Sequence, residues 1–196
     1  MSYRGYRNPG LGVVAYIIIT CVVLYVASSI SLKFYDWLAL EPDMFTQQPW
    51  TIITSMFMHA PFPNFTHILF NMLTLYFFGL FLVNLVGDRV FLLVYLICGI
   101  VGNIAFILLA PPAASVVGAS GAIFGIGGAL VVMRPRLPVY VFPIPVPIPL
   151  WVSVLGGFLL TFLATGVAWQ AHFGGLIAGV VAGLILRRRE LRQYWH

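Results

Sequence analysis

The sequence predicts an all-α, polytopic membrane protein: one domain over residues 1–196, a bundle of six transmembrane helices with both termini cytoplasmic. Three observations predict it. Of the 196 residues 61% are hydrophobic and 8% charged, against roughly half and a quarter in soluble domains, and mean hydropathy is +1.01. Even a fold of about 150 residues leaves roughly a third of its chain surface wet, so lipid must be the solvent and a water-soluble globule is excluded. Apolar runs of membrane-helix character recur at about 12–30, 67–86, 90–109, 119–133, 150–165 and 170–186, separated by Gly, Pro or charge. Charge also sorts by side. Arg4 and Arg7 precede the first run, Arg89 follows the second, Arg134 and Arg136 the fourth, and Arg187, Arg188, Arg189 and Arg192 the sixth, with Lys33 the one exception. The positive-inside rule puts those segments in the cytoplasm and the loops after runs one, three and five outside. The net charge of +5 therefore reports orientation and not nucleic-acid binding. The expected location is the cell membrane.

Taken in order, the run Leu11–Ile30 exceeds the roughly 7 to 15 apolar residues of a cleavable signal and reads as a retained span. Cys21 and Cys98 sit inside apolar runs and read as packing residues. The longest loop, 34–66, carries Trp37, Phe45, Trp50, Ile52, Ile53, Met56, Phe57 and Met58, so it is expected to lie in the membrane interface with short helices of its own. Spans four and five are short. Between them, Arg134 to Leu150 contains six prolines, which deny backbone donors and favour extended geometry; a cytoplasmic connector is expected.

Uncharged polar groups inside such spans are tolerated mainly where they bond a partner or line a cavity. His67 and Asn71 fall at i and i+4 on one face of span two. Ser120 opens span four within Gly118-Ala119-Ser120-Gly121, and His172 opens span six within Ala171-His172-Phe173-Gly174-Gly175. Counting back about 14 residues from Arg134 and about 15 from Arg187, at 1.5 Å each, puts both about 21 to 23 Å above the inner boundary. Gly175, Gly179 and Gly183, with Gly121 and Gly125 opposite, form small-residue stripes that let helices approach closely. His172 shares the stripe's face, so Ser120 is expected within reach of its ring, as a serine nucleophile requires of its base. Asp36, Glu41 and Asp43 belong to the outer loop, and Asp88 and Glu190 to the inner face. A Ser-His dyad is therefore expected in place of a triad, with His67, Asn71 and the Ser120 amide as oxyanion donors.

Plainer readings exist for each residue. A lone membrane Ser most often bonds its own backbone, a lone His is often a satisfied structural group, and glycine stripes say only that helices pack; the coincidence at one depth is what favours chemistry. Asn84 and Asn103 read as structural hydrogen-bonders, while His59 and His196 have no evident partner. A metal site of His59, His67 and His172 would lack any carboxylate or Cys ligand, so neither metal nor cofactor is expected.

His67-Ile68-Leu69-Phe70-Asn71, Gly118-Ala119-Ser120-Gly121, and Ala171-His172 followed by Gly175 and Gly179 resemble the motifs of the rhomboid intramembrane serine proteases in their minimal six-helix form. The resemblance implies Ser120 as nucleophile, His172 as general base and acid, and Asn71, His67 and the Ser120 amide around the oxyanion. Transmembrane segments of other proteins, cut near the outer face of the bilayer, are the implied substrates. Two positions depart from the family pattern. Trp50 is followed by Thr51 where the family often has Arg, and Phe124 stands where some relatives stack a Tyr on the catalytic His, so the ring contact is expected without the hydroxyl. The alternatives are a catalytically inactive rhomboid-like protein that binds membrane clients, which would be expected to lack Ser120 or His172, and a small transporter, which would be expected to carry repeats and intramembrane charge.

Overall fold

A computed structural model describes residues 12–141, 144–163 and 166–194, with side chains to residue 190. Arg4, Arg7, His196 and the Arg192 side chain lie outside the described residues. Four helices are long and apolar enough to cross a bilayer: α1 (Val13–Ile30), α4 (Phe65–Val86), α5 (Asp88–Leu109) and the Trp169–Glu190 part of α8 (Trp169–Tyr194). Two further apolar helices, α6 (Ser120–Met133) and α7 (Leu150–Leu160), are shorter; at 1.5 Å per residue they run about 21 and about 16 Å, less than the hydrocarbon thickness of about 30 Å.

These helices begin and end within a few residues of the six apolar runs, with two exceptions at the end of the chain. α7 stops at Leu160, short of 165, where the Thr161 hydroxyl donates to the Phe158 carbonyl at 2.6 Å, a local bond that competes with helix continuation. α8 runs past 186 to Tyr194. Arg and Glu are good helix formers, and Arg134 grips Glu190 with both guanidinium nitrogens, at 3.1 and 2.5 Å, while Arg187 donates to the Val132 carbonyl at 3.3 Å in the last turn of α6. The described part of the proline-rich connector, which leaves out residues 142–143, combines turns with a short pairing of its two ends. β1 (Pro138–Val139) lies antiparallel to β2 (Ile148–Pro149), and the ladder stays this short because proline offers no amide to lengthen it. Short helices do form in the long loop: α2 (Leu32–Leu38), capped by the Ser31 hydroxyl, a 3₁₀ turn at Pro42–Met44, and α3 (Thr51–Thr54).

The centre of the bundle is α6, buried on nearly every face, as a helix apolar all round must be. α8 is wedged between α5 and α6, and glycine makes the wedge possible. A Cβ on Gly175 would overlap the Gly121 carbonyl, one on Gly179 the Gly125 carbonyl, and one on Gly183 would come within 2.7 Å of the Ala129 oxygen. On the α5 side, Cβ atoms on Gly102 and Gly174 would lie 2.5 Å from the Ala171 oxygen and 2.8 Å from the Val101 oxygen. Cys21 and Cys98 are buried, unpaired thiols in the same core. Outward, α1, α4, α5 and α8 present large apolar side chains such as Val23, Phe77, Ile97 and Val181, the surface a lipid solvent calls for. α7 sits at the margin, with open space beside Gly156 and Gly157.

Replacing Gly179 with Val should force α6 and α8 apart, since overpacking costs about 1 to 3 kcal/mol. The expected result is a melting temperature in detergent several degrees below wild type, while Val181→Leu, on the exposed face of α8, stays at the wild-type value. Equal melting of Gly179→Val and wild type would contradict the backbone contact.

Candidate active site

Ser120 is the first residue of α6, so its amide belongs to the first-turn donors that have no acceptor within the helix. The turn that delivers it depends on Gly118. Its φ of 134° is a conformation L side chains avoid, and a Cβ there would lie 3.1 Å from His67 Nε2 and 3.5 Å from Ser120 Oγ. His67 and Ser120 thus flank a position that only glycine can occupy.

His172 stands in the first turn of α8, buried, with Nε2 2.7 Å from Ser120 Oγ. Accepting the Ser120 proton requires an unprotonated Nε2, which puts the ring hydrogen on Nδ1. Nδ1 is buried and, among the described residues, has no hydrogen-bond partner, so no carboxylate among them orients this ring. Packing does so instead. Phe124, one turn into α6 from Ser120, stacks on the imidazole with centroids 4.6 Å apart at 36°, and Phe158 of α7 braces Phe124 edge-on at 6.0 Å.

Asn71 lies buried on α4 with Nδ2 donating to the His67 carbonyl at 2.8 Å. That bond uses one amide hydrogen and leaves a second available. Asn71 and Ser120 line one cleft of about 290 Å³ between α4, α6 and α7, together with Phe78, Phe124, Val154 and Gly157. The structure therefore gathers His67, Asn71, Ser120, Phe124 and His172 into one place, while Gly121, Gly125, Gly175 and Gly179 form the helix contact beneath it. Among the described residues, no three His, Cys, Asp or Glu side chains gather as a metal site.

His59 is part of the same neighbourhood, which sequence reasoning missed. Its ring is fully buried 5.2 Å from that of His67, and neither nitrogen makes a well-formed hydrogen bond among the described residues. The two histidines are separated by a loop containing Pro61 and Pro63, so no helical spacing links them. Asn103 is a structural hydrogen-bonder as expected, donating to the Ile52 carbonyl and the Ser55 hydroxyl.

A family model described as Rhomboid domain matches residues 46–189. The chain belongs to the rhomboid family. This rhomboid is 33% identical over 148 residues to a putative rhomboid protease, YdcA, of Bacillus subtilis, a match covering 74% of the chain and 71% of that protein. It is 30% identical over 168 residues to the mitochondrial Rhomboid protein 1 of Saccharomyces cerevisiae, covering 80% and 47% respectively. Against the rhomboid protease GluP of Bacillus subtilis it is 34% identical over 139 residues, 70% of the chain but 26% of the relative. The chain thus spans less than half the length of the latter two. Family membership and the apolar helices make this rhomboid a multi-pass membrane protein of a protease family.

Burial, with the nearby His67 ring adding to it and the Phe57 backbone weakly opposing, pushes the His59 imidazole down from 6.5 to about 3. Between those values the unfolded chain takes up a proton at His59 that the folded protein refuses. Stability from this group is full above pH 6.5 and is lost as pH falls, by at most about 1.4 kcal/mol per pH unit. Melting followed from pH 6.5 to 5 should accordingly fall less steeply in His59→Leu than in wild type; parallel slopes would remove His59 as the source.

Proposed function

We propose that this rhomboid is an intramembrane serine endopeptidase that hydrolyses peptide bonds in or beside the transmembrane segments of other membrane proteins, with Ser120 and His172 as its dyad. The observation that carries the reading is the 2.7 Å approach of His172 Nε2 to Ser120 Oγ, between two residues 52 positions apart at the starts of two different helices.

The chemistry follows from the groups present. As Ser120 Oγ attacks the scissile carbonyl carbon, its proton passes to His172 Nε2. The resulting oxyanion is held by the Ser120 amide, the spare Nδ2 hydrogen of Asn71 and the His67 ring, donors fixed in advance by helix backbone and packing. When the C–N bond breaks, the imidazolium returns the proton to the leaving amine. Water then attacks the acyl-serine with His172 again as base, releasing the carboxyl product. The imidazolium formed in each half has no carboxylate at Nδ1; the face of Phe124 offers it a cation–π contact instead.

In the same reading the single domain covers residues 1–196, α6 and α7 complete six spans with α1, α4, α5 and α8, and both termini face the cytoplasm of the cell membrane. The arginine-bearing ends of α6 and α8 then point inward, and their opposite ends carry Ser120 and His172 toward the outer face, where a substrate helix would be cut. The substrate partner is a membrane protein's apolar segment, and the lipid bilayer is the medium.

The test is cleavage of a labelled model transmembrane substrate by the purified protein in liposomes. Ser120→Ala and His172→Ala should each fall to background, because the dyad acts as a unit. Wild-type cleavage by Ser120→Ala would overturn the reading. Asn71→Ala should keep the dyad and lose one oxyanion donor, lowering kcat by about 10²-fold; an unchanged kcat would take Asn71 out of the site.

A further inference from the structure

One face of α5 carries the loop that precedes α4. Tyr95, Gly99 and Asn103 recur at four-residue intervals and so line one stripe. At the bottom, the buried Tyr95 hydroxyl donates to the Met56 carbonyl at 3.0 Å. In the middle, Gly99 leaves a notch filled by the Met56 thioether, where a Cβ would overlap the methyl. At the top, Nδ2 of the buried Asn103 donates to the Ile52 carbonyl at 2.8 Å and to the Ser55 hydroxyl at 2.9 Å. Segment 52–56 is thereby held at three heights.

That segment in turn holds the turn before Ser120. The Ser55 carbonyl accepts the Gly118 amide at 2.9 Å, and a pair of backbone bonds between Leu40 and Val116 ties the approach from the other side. Two peptide units separate the Gly118 amide from the Ser120 amide, so the position of one constrains the direction of the other. The close helix contacts of α5 run through Gly99 and Cys98 toward α6 and through Val101, Gly102 and Ala105 toward α8. The Asn103 amide itself is engaged with the loop.

The geometry points to Asn103 as a positioning residue: by pinning Ile52 and Ser55 it fixes the carbonyl that orients the Gly118 peptide, and through it the Ser120 hydroxyl and oxyanion amide. This rests on the dyad reading above. Loss of the Asn103 bonds frees the Ser55 carbonyl to drift, and a misplacement of about 1 Å at a reacting centre can cost about 10²-fold in rate.

The experiment compares wild type, Asn103→Leu, Ser55→Ala and the double variant in liposomes. A fluorophosphonate probe counts reactive Ser120, so kcat is expressed per competent site and a merely unstable variant shows fewer sites at normal kcat. Asn103→Leu should lower kcat per site by about 10- to 100-fold with KM within about twofold of wild type, and should slow phosphonylation in parallel. Ser55→Ala, which keeps the carbonyl and loses one of two acceptors, should lower kcat less. The double variant should be no worse than Asn103→Leu by itself, since the bond it removes is already gone. A wild-type kcat per site in Asn103→Leu, or losses that multiply in the double variant, would overturn the inference. Should Asn103→Leu fail to fold, Ser55→Ala decides by the same measure: lowered kcat at constant KM supports positioning, and unchanged kcat refutes it. Failure of wild type to cleave or to be phosphonylated would defeat the dyad reading and this inference with it, whereas an active wild type matched by Asn103→Leu defeats this inference alone.

Discussion

The backbones of α6 and α8 touch, and the site exists because they do. In lipid no hydrophobic force draws one apolar helix to another, since the tails are as apolar as leucine. Association has to come from close van der Waals contact and polar bonds, both of which need helix axes nearer than ordinary side chains permit. Gly175 against Gly121 and Gly179 against Gly125 supply that closeness. Ser120 and His172 each sit in the first turn of one of these two helices, so the distance between hydroxyl and imidazole inherits the precision of the helix contact below. Dispersion falls off within fractions of an ångström, which makes such a contact unforgiving and therefore exact in what it positions.

A histidine without an acidic partner has to be oriented by other means. A carboxylate would fix both tautomer and ring plane of His172 in one bond; here the Ser120 hydroxyl, able to donate or accept, meets Nε2 and Phe124 packs against the ring face. Burying a carboxylate in an apolar bundle would carry a desolvation cost of several kcal/mol, so an aromatic face is the cheaper support in this solvent. The same reasoning applies to His67, which leans on the His59 ring and on the absent side chain of Gly118.

Much of this was legible in the residue order because membrane spans obey simple one-dimensional rules. Length, charge asymmetry and four-residue glycine spacing located the helices, the stripe and the shared level of Ser120 and His172. What escaped is tertiary or carried by backbone atoms. Nothing in the order of residues says that the Ser55 carbonyl meets the Gly118 amide, since every residue has a carbonyl, or that His59 stacks beside His67 across a proline-containing loop. The reach of α8 to Tyr194 depends on Arg134 meeting Glu190, a pairing of residues 56 apart, and the small hairpin at Val139 and Ile148 runs against the usual reading of prolines as strand breakers.

The brevity of α6 bears on a difficulty that the proposed hydrolysis in lipid would face. A helix of 14 residues covers only about two thirds of the hydrocarbon, so an α6 anchored at its arginine end begins below the opposite surface. Its leading amides have no carbonyls above them, and unpaired backbone at that depth is tolerated only beside protein or water. A helix that starts late therefore leaves a thirst at its own end that protein or water has to meet, and Ser120 stands at that end; in the proposed reading, water drawn there by the backbone is also the water an acyl-serine would need.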